Sequence, residues 1–220
     1  MISILMPIYN GVEYLRESLS SIILQTYEDW ELLIGINGYP AKSKIWRKIN
    51  DYNSNKIKVF DLYMCNSKSQ TLNELIKLTV NDWVCLLDVD DIWEPEKLET
   101  QLKYIEKYQV IGTNAIYFGD KNNDPKIPLN EIDIDVFKYV NPIINSSAMF
   151  LREDAHWLEI KGVEDYDMWC RIAVKGRKFF NVPKILVNHR IHKNSAFNNL
   201  SYNESILKIR EKYFSGKCRI

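Results

Sequence analysis

The sequence has no excess of charge of either sign: 29 lysines and arginines stand against 29 aspartates and glutamates. A broad nucleic-acid-binding surface generally shows as a basic excess, so that class of partner is not expected. Cysteine is scarce. Cys65, Cys85, Cys170 and Cys218 lie far apart, without the close pairs that metal sites use. Cys85 sits in an apolar run, where a buried free thiol is expected, and the chain is read as intracellular and free of structural disulfides. No apolar run approaches the roughly 20 residues that span a bilayer. The opening "MISILMPIYNG" lacks a basic start and is too short in its apolar part for an export signal. Repeats and low-complexity tracts are absent as well. What remains is a soluble cytoplasmic enzyme or binding domain, and 220 residues suit one large domain.

What is present alternates. Apolar runs at 2–9, 30–38, 56–64 and 82–89 read as strands. Between them, 12–25, 43–52 and 69–80 carry apolar residues at helical spacing, as in Leu15, Leu19, Ile22 and Ile23. Strand and helix in alternation predict βαβ units and a parallel sheet. In open sheets of this kind ligands bind beyond the carboxyl ends of the strands. Tyr9-Asn10, Asn37-Gly38 and the run from Asp88 to Asp91 all fall at such ends. Further on, the sequence predicts a helix over 95–108, a strand over 110–119, a surface loop over 121–128 and a strand over 144–152. A helix with carboxylates in its first turn follows over 164–176, then one or two short strands over 179–192 and a terminal helix of lesser weight over 201–214.

The stretch "LLDVDDIWEPEKL" (86–98) drives an apolar strand straight into Asp88, Asp90 and Asp91. Two readings stand. Aspartates commonly cap turns and helices. Alternatively, hard oxygen ligands hold Mg²⁺ or Mn²⁺ that bridges nucleotide phosphates, which needs only one or two protein carboxylates. Glu164 and Asp165 are open in the same way: first-turn residues favoured by the helix dipole, or a general base with its neighbour.

The residues around these points resemble family 2 glycosyltransferases with the GT-A fold. "MPIYNG" (6–11) is similar to that family's opening strand end, and 14–34 follows its first helix and second strand. "DVDD" (88–91) resembles its DxD region, "VEDYDMWCRI" (163–172) its acidic pair before a helix, and "HRIH" (189–192) its late Arg-x-His element. The resemblance runs from about residue 2 to about 195 with four motifs in order. It implies a Rossmann-like, mostly parallel sheet flanked by helices: a nucleotide-binding half to about 92, an acceptor half over about 93–195, then a terminal loop and helix over 196–220. It also implies inverting transfer of a sugar from a nucleoside diphosphate sugar, UDP-linked, to an acceptor hydroxyl. Asp90 would be the main ligand of Mn²⁺ or Mg²⁺, with Asp88 on the ribose or the metal's water shell and His192 approaching from the far side. Pro7 and Tyr9 would line the base pocket, Arg190 would meet phosphate, and Asp165 would be the base with Glu164 shaping its surroundings.

Two positions depart from the family pattern. Asn37 stands where an aspartate commonly accepts the uracil N3 proton, and its side-chain oxygen retains that capacity. Leu72 stands where an arginine commonly helps to hold the nucleotide, and Lys68 is the candidate replacement. The competing readings are a sugar-1-phosphate nucleotidyltransferase and a catalytically silent nucleotide-sugar-binding module. The first usually has a Gly-rich, basic loop after its first strand, and "YNGVEYLRES" (9–18) has neither feature.

Overall fold

The computed structural model of the chain describes residues 1–193 and 202–215; Cys218 lies outside them. Strands β1 (Ile2–Ile8), β2 (Trp30–Ile36), β3 (Ile57–Asp61) and β4 (Trp83–Leu86) pair in parallel in the order β3-β2-β1-β4. Parallel neighbours need crossovers, supplied by α1 (Leu15–Ile23), α2 (Lys44–Asn50) and α3 (Lys68–Lys77). Ser43 and Ser67 start α2 and α3 by accepting a backbone N–H three residues on, each at 3.1 Å, which pairs a donor the helix end would leave orphaned. Along β1 the side chains alternate: Ile2, Ile4, Met6 and Ile8 join the core with α1 and α2, and Leu5 joins the one with α3. Burial on both faces is why these runs read as continuously apolar.

The rest of the sheet is mixed. β8 (Met149–Leu151) lies antiparallel between β4 and β6 (Val110–Gly119), and β6 runs parallel to β9 (Phe179–Ile191). β5 (Ile92–Trp93) and β7 (Asn130–Ile132) both pair antiparallel with β9. Where one or two short strands were expected over 179–192, a single strand of 13 residues, Phe179–Ile191, is found. Its register against β6 shifts opposite Pro183, where a residue without an N–H cannot serve the ladder.

Two predicted elements are shorter than their patterns suggested. The helix expected over 95–108 is α4 (Lys97–Leu102), after which the chain turns so that Tyr104 and Tyr108 stack on Phe180 at 4.5 and 4.8 Å between ring centroids. The strand expected over 144–152 begins as a 3-10 turn, Asn145–Ser147, where the Ser147 hydroxyl donates to Ile144 O at 2.7 Å. Short polar side chains that bond nearby backbone compete with a strand ladder. The terminal helix, given little weight from sequence, is α6 (Asn203–Phe214), and it packs on α5 (Glu164–Val174). Ile209 is buried there, and Lys212 Nζ and the Tyr213 hydroxyl both donate to Asp167 Oδ1, at 3.0 and 3.1 Å. Cys65, Cys85 and Cys170 are free thiols. Among the described residues no helix is long and apolar enough to cross a membrane.

Lys97, on α4, is buried outright; its Nζ donates to Gln101 Oε1 at 2.7 Å and lies 3.9 Å from the Trp93 ring centroid. Burial pushes its ammonium down from 10.5 to about 8. Between those values the unfolded chain holds a proton that the folded one has shed, so stability rises with pH across that window. At about 1.4 kcal/mol per pH unit the rise is about 3 kcal/mol. Urea unfolding of the parent and of Lys97→Met between pH 7 and 10.5 is expected to show that rise in the difference between the two unfolding free energies, since every other titrating group is common to both. Equal slopes in the two proteins would contradict it.

Candidate active site

The carboxyl ends of β1, β2 and β4 form one side of the site. β1 and β2 end so close together that a Cβ on Gly38 would lie 1.5 Å from Tyr9 O, so only glycine fits there. Asn37 N and Gly38 N both donate to Ile8 O, at 3.1 and 3.2 Å. This leaves the Tyr9 ring 68% exposed above the strand ends, open to a flat ligand. Pro7 lies past the last β1–β4 pair, Leu5 with Leu86. Asn37 is buried; its Nδ2 donates to Cys65 O at 3.3 Å, and its Oδ1 has no partner among the described residues.

At the end of β4 each of the three aspartates has its own cationic or imidazole partner. Lys68 Nζ, at the start of α3, meets Asp88 Oδ1 at 2.5 Å, Asn145 Nδ2 donates to Asp88 Oδ2 at 3.2 Å, and Asp88 N donates to the Ser146 hydroxyl at 3.1 Å. Burial raises the Asp88 carboxyl, but Lys68 more than reverses that and holds it below its ordinary value. Burial likewise disfavours the Lys68 ammonium, yet Asp88, Glu164 and Asp165 together keep it well above the usual lysine range. Asp90 Oδ2 lies 2.9 Å from His192 Nε2; burial and then its neighbours Asp91 and Asp88 push the Asp90 carboxyl up.

Asp91, a candidate turn cap by its residue type, closes the turn only through its backbone, its N–H donating to Asp88 O at 3.1 Å. Its fully buried carboxylate is directed at β9 instead. Oδ2 lies 2.9 Å from His189 Nδ1, and Oδ1 accepts Arg190 N at 2.8 Å. Burial lowers the His189 imidazole, but Asp91 outweighs it and the pKa stands at about 9, so the ring is charged at neutral pH. Arg190 donates from Nε to Asp90 O at 2.9 Å and from Nη2 to Glu17 at 2.8 Å, with the Tyr14 and Phe118 rings 4.5 and 4.3 Å away.

Facing β4 across a cavity of about 440 Å³ is the first turn of α5. Asp165 accepts from Asn141 Nδ2 at 3.2 Å and from Tyr166 N at 2.8 Å. Burial and the adjacent Glu164 raise its carboxyl to about 6, with Lys68 tempering the rise. Glu164 Oε2 is buried without a partner among the described residues. Lys68, Asp88, Glu164 and Asp165, four of the residues named from the sequence, line one cavity. Tyr9, Asn37, Asp90 and His192 stand outside that lining, on the β1–β2 and β4–β9 sides.

Sequence reasoning missed other walls of this cavity, Asn141 and Asn145, and Tyr202, Ile206 and Arg210 around α6; His189, the first residue of the 189–192 motif, lines it as well. Ile127, from the surface loop expected over 121–128, and Tyr117 ahead of it line the cavity too. No three His, Cys, Asp or Glu side chains among the described residues gather into a metal cage. Asp90 and His192 supply one oxygen and one nitrogen side by side, a donor set suited to Mn²⁺ if phosphate oxygens and waters complete the shell.

Residues 3–158 match the sequence model of the family described as "Glycosyl transferase family 2". The uncharacterized glycosyltransferase MJ1057 of Methanocaldococcus jannaschii is 27% identical over 208 residues, covering 87% of this chain and 71% of that protein. Among solved structures, Staphylococcus aureus TarS 1–349 in complex with UDP-GlcNAc superposes with a TM-score of 0.74 at 16% identity, over 94% of this chain and 64% of that one. The mannosyltransferase PcManGT of Pyrobaculum calidifontis, in complex with GDP-Man and Mn²⁺, gives 0.68 at 14%, over 89% and 58%. The chain thus spans less than two thirds of either solved chain. These likenesses bear out the GT-A architecture, an α/β domain with a central sheet flanked by helices.

Proposed function

The chain belongs to glycosyl transferase family 2, and on that basis we propose that it is a metal-dependent, inverting transferase moving a sugar from a UDP-linked donor to an acceptor hydroxyl. The observation that carries this reading is the pairing of Asp165 with Lys68 and Asp88 across a single cavity. Inversion needs an attacking hydroxyl on one face of the sugar and the departing diphosphate on the other. Asp165, raised to about 6, is ionised at neutral pH while remaining close to it in basicity, which suits a general base. It takes the acceptor's proton as the oxygen bonds the anomeric carbon, and the donor's C–O bond electrons leave with the diphosphate.

Asp90 and His192 would hold the divalent cation and Asp88 would stand beside it. When bound, the cation supplies Lewis-acid stabilisation of the charge gathering on the leaving group. The rest of the donor has matching surfaces. Tyr9 offers an exposed ring for a base to stack on. Asn37 Oδ1, buried and without a partner among the described residues, suits a ligand N–H such as uracil N3–H. TarS in complex with UDP-GlcNAc and PcManGT with GDP-Man and Mn²⁺ support a nucleotide sugar and a cation in this fold.

Thermal melting with UDP, UDP-glucose, UDP-GlcNAc and GDP-mannose, each with and without Mn²⁺, tests the reading. A ligand at about 100 times its Kd adds about 2.7 kcal/mol of stability, a rise of several degrees for a chain of this size. The expected result is a rise with UDP compounds that requires Mn²⁺ and disappears in Asp90→Ala. No rise with any nucleotide, or one that survives both metal removal and Asp90→Ala, would overturn it.

A further inference from the structure

The segment 141–147 crosses the cavity between two groups that the reaction needs, and nothing in its sequence announces this. Asn141 Nδ2 donates to Asp165 Oδ2 at 3.2 Å, and Asn145 Nδ2 donates to Asp88 Oδ2, also at 3.2 Å. We propose that this segment is a positioning strap, with Asn141 aiming the base and Asn145 aiming the donor-side carboxylate, so that the two are set at a fixed separation. The proposal rests on the roles given above to Asp165 and Asp88.

The strap is anchored firmly enough to aim both groups. Asn141 Oδ1 accepts Ile143 N at 3.2 Å, so the amide cannot turn over without losing a bond and its NH₂ stays aimed at Asp165. Pro142 O accepts from buried Asn181 at 2.8 Å, and Ile143 is 2% exposed within the core. Past Asn145, Ser146 Oγ accepts Asp88 N at 3.1 Å, Ser146 O accepts from Trp93 Nε1 at 2.7 Å, and Ser147 O accepts from buried Gln101 at 2.8 Å. The Asn141 amide is thereby held by its own chain, whereas Asn145 is fixed through the backbone around it: its Oδ1 is buried without a partner among the described residues, and its amide is oriented by the bond to Asp88. The Nδ2–H of Asn141 occupies Asp165 Oδ2 on one side, and Tyr166 N occupies Oδ1 at 2.8 Å. The remaining lone pairs of Asp165 are then directed rather than free to rotate with the carboxylate. Orienting partners of this kind are worth about 10–100-fold when removed.

The strap implies something that general structural importance does not: two residues in one short segment should fail in different ways. Asn141→Asp keeps the acceptor for Ile143 N, removes the donor to Asp165 and sets a second carboxylate against it. Its turnover of UDP-glucose, UDP-galactose or UDP-GlcNAc, read as UDP release with Mn²⁺, is expected to fall about tenfold or more in kcat, with the Kd for UDP and Mn²⁺ by calorimetry unchanged. Asn145→Asp removes the donor to Asp88, and its Kd for UDP with Mn²⁺ is expected to weaken about tenfold or more. Asn141→Ser, which shortens the side chain without adding charge, should repeat the kcat loss if the aspartate variant melts early. Parallel losses in both parameters for both positions, or parental values for either, would overturn the strap. Asp165→Asn separates this from the parent reading. If it is inactive while Asn141→Asp and Asn141→Ser match the parent, only the strap falls; if it is fully active, the base assignment falls first.

Discussion

Asp165→Asn is expected to leave the Kd for UDP with Mn²⁺ close to the parent's while sugar transfer falls about a hundredfold or more, the usual worth of a general base. Asparagine preserves the shape and can still accept from Asn141 or Tyr166, the two donors at 3.2 and 2.8 Å. What it cannot do is take a proton. The parent's pH profile should carry the same signature. Burial and Glu164 raise the Asp165 carboxyl to about 6, and only the ionised form accepts the hydroxyl proton. Turnover by the parent therefore rises with pH through about 6 and levels above it, and the residual rate of Asp165→Asn lacks that limb. The same raised pKa has a consequence for stability, with the opposite sign from an ion-paired carboxylate. The folded chain holds this proton more tightly than the unfolded one, so ionising Asp165 costs stability as pH climbs from 3.8 to about 6. Asp165→Asn should consequently melt higher than the parent at pH 7. A variant that is both inactive and more stable is the mark of a group kept for chemistry rather than for folding. Retained transfer would remove Asp165 from the mechanism.

The first half of the molecule was open to reading from sequence because each of its signals is local. Continuous apolar runs became β1, β2, β3 and β4, and the polar residues at their ends, Tyr9, Asn37 and Asp88, came to rest at the carboxyl edge. The motif around Glu164 and Asp165 was equally plain, since carboxylates at a helix start stand out whatever they do. What stayed hidden depends on pairings between distant residues. Asn141 and Asn145 sit 24 and 57 residues from the carboxylates they hold, and nothing in "NPIIN" indicates that range. The strand pattern over 144–152 even pointed away from it, because the apolar Met149, Phe150 and Leu151 do form β8 while the polar residues before them turn aside. α6 was undervalued for the same reason. Its amphipathic pattern marks a helix, but only the fold shows that Tyr202, Ile206 and Arg210 close the cavity beside the base. Asp91 was the most instructive case. Local chemistry supported a side-chain turn cap, yet the turn is closed by the backbone N–H, and 98 residues later His189 makes the carboxylate the buried anchor of β9.

Asp91→Ala should be the most damaging single change to the fold at this site, lowering unfolding free energy by about 3–5 kcal/mol at pH 7. The carboxylate is fully buried and serves two donors, the His189 ring at 2.9 Å and Arg190 N at 2.8 Å. Alanine strands both: an imidazolium that loses its main counter-charge, with only the weaker influence of Asp88 and Asp90 left, and a strand N–H with no acceptor. The pH dependence identifies the charged part. His189 stands at about 9 in the folded chain against an ordinary 6.5. A raised histidine pKa contributes stability that is fully present below about 6.5 and lost as pH rises through about 9. That portion is about 3 kcal/mol at about 1.4 kcal/mol per pH unit. Urea unfolding of parent and Asp91→Ala should therefore diverge most at pH 6–7 and converge by about pH 10, leaving the smaller cost of the lost Arg190 bond. Asp91→Asn, which keeps an acceptor for Arg190 N but no charge for His189, should fall between the two at pH 7 and approach the parent at high pH. The consequence for the site follows from the path of β9. Asp91 fixes the strand at His189 and Arg190, and His192, 2.9 Å from Asp90, comes immediately after it. Loosening that anchor frees His192 from its position opposite Asp90, so Asp91→Ala should also lose the Mn²⁺-dependent response to UDP even at temperatures where it remains folded. A penalty that does not vary between pH 6 and 10 would show that the imidazolium is not what Asp91 holds.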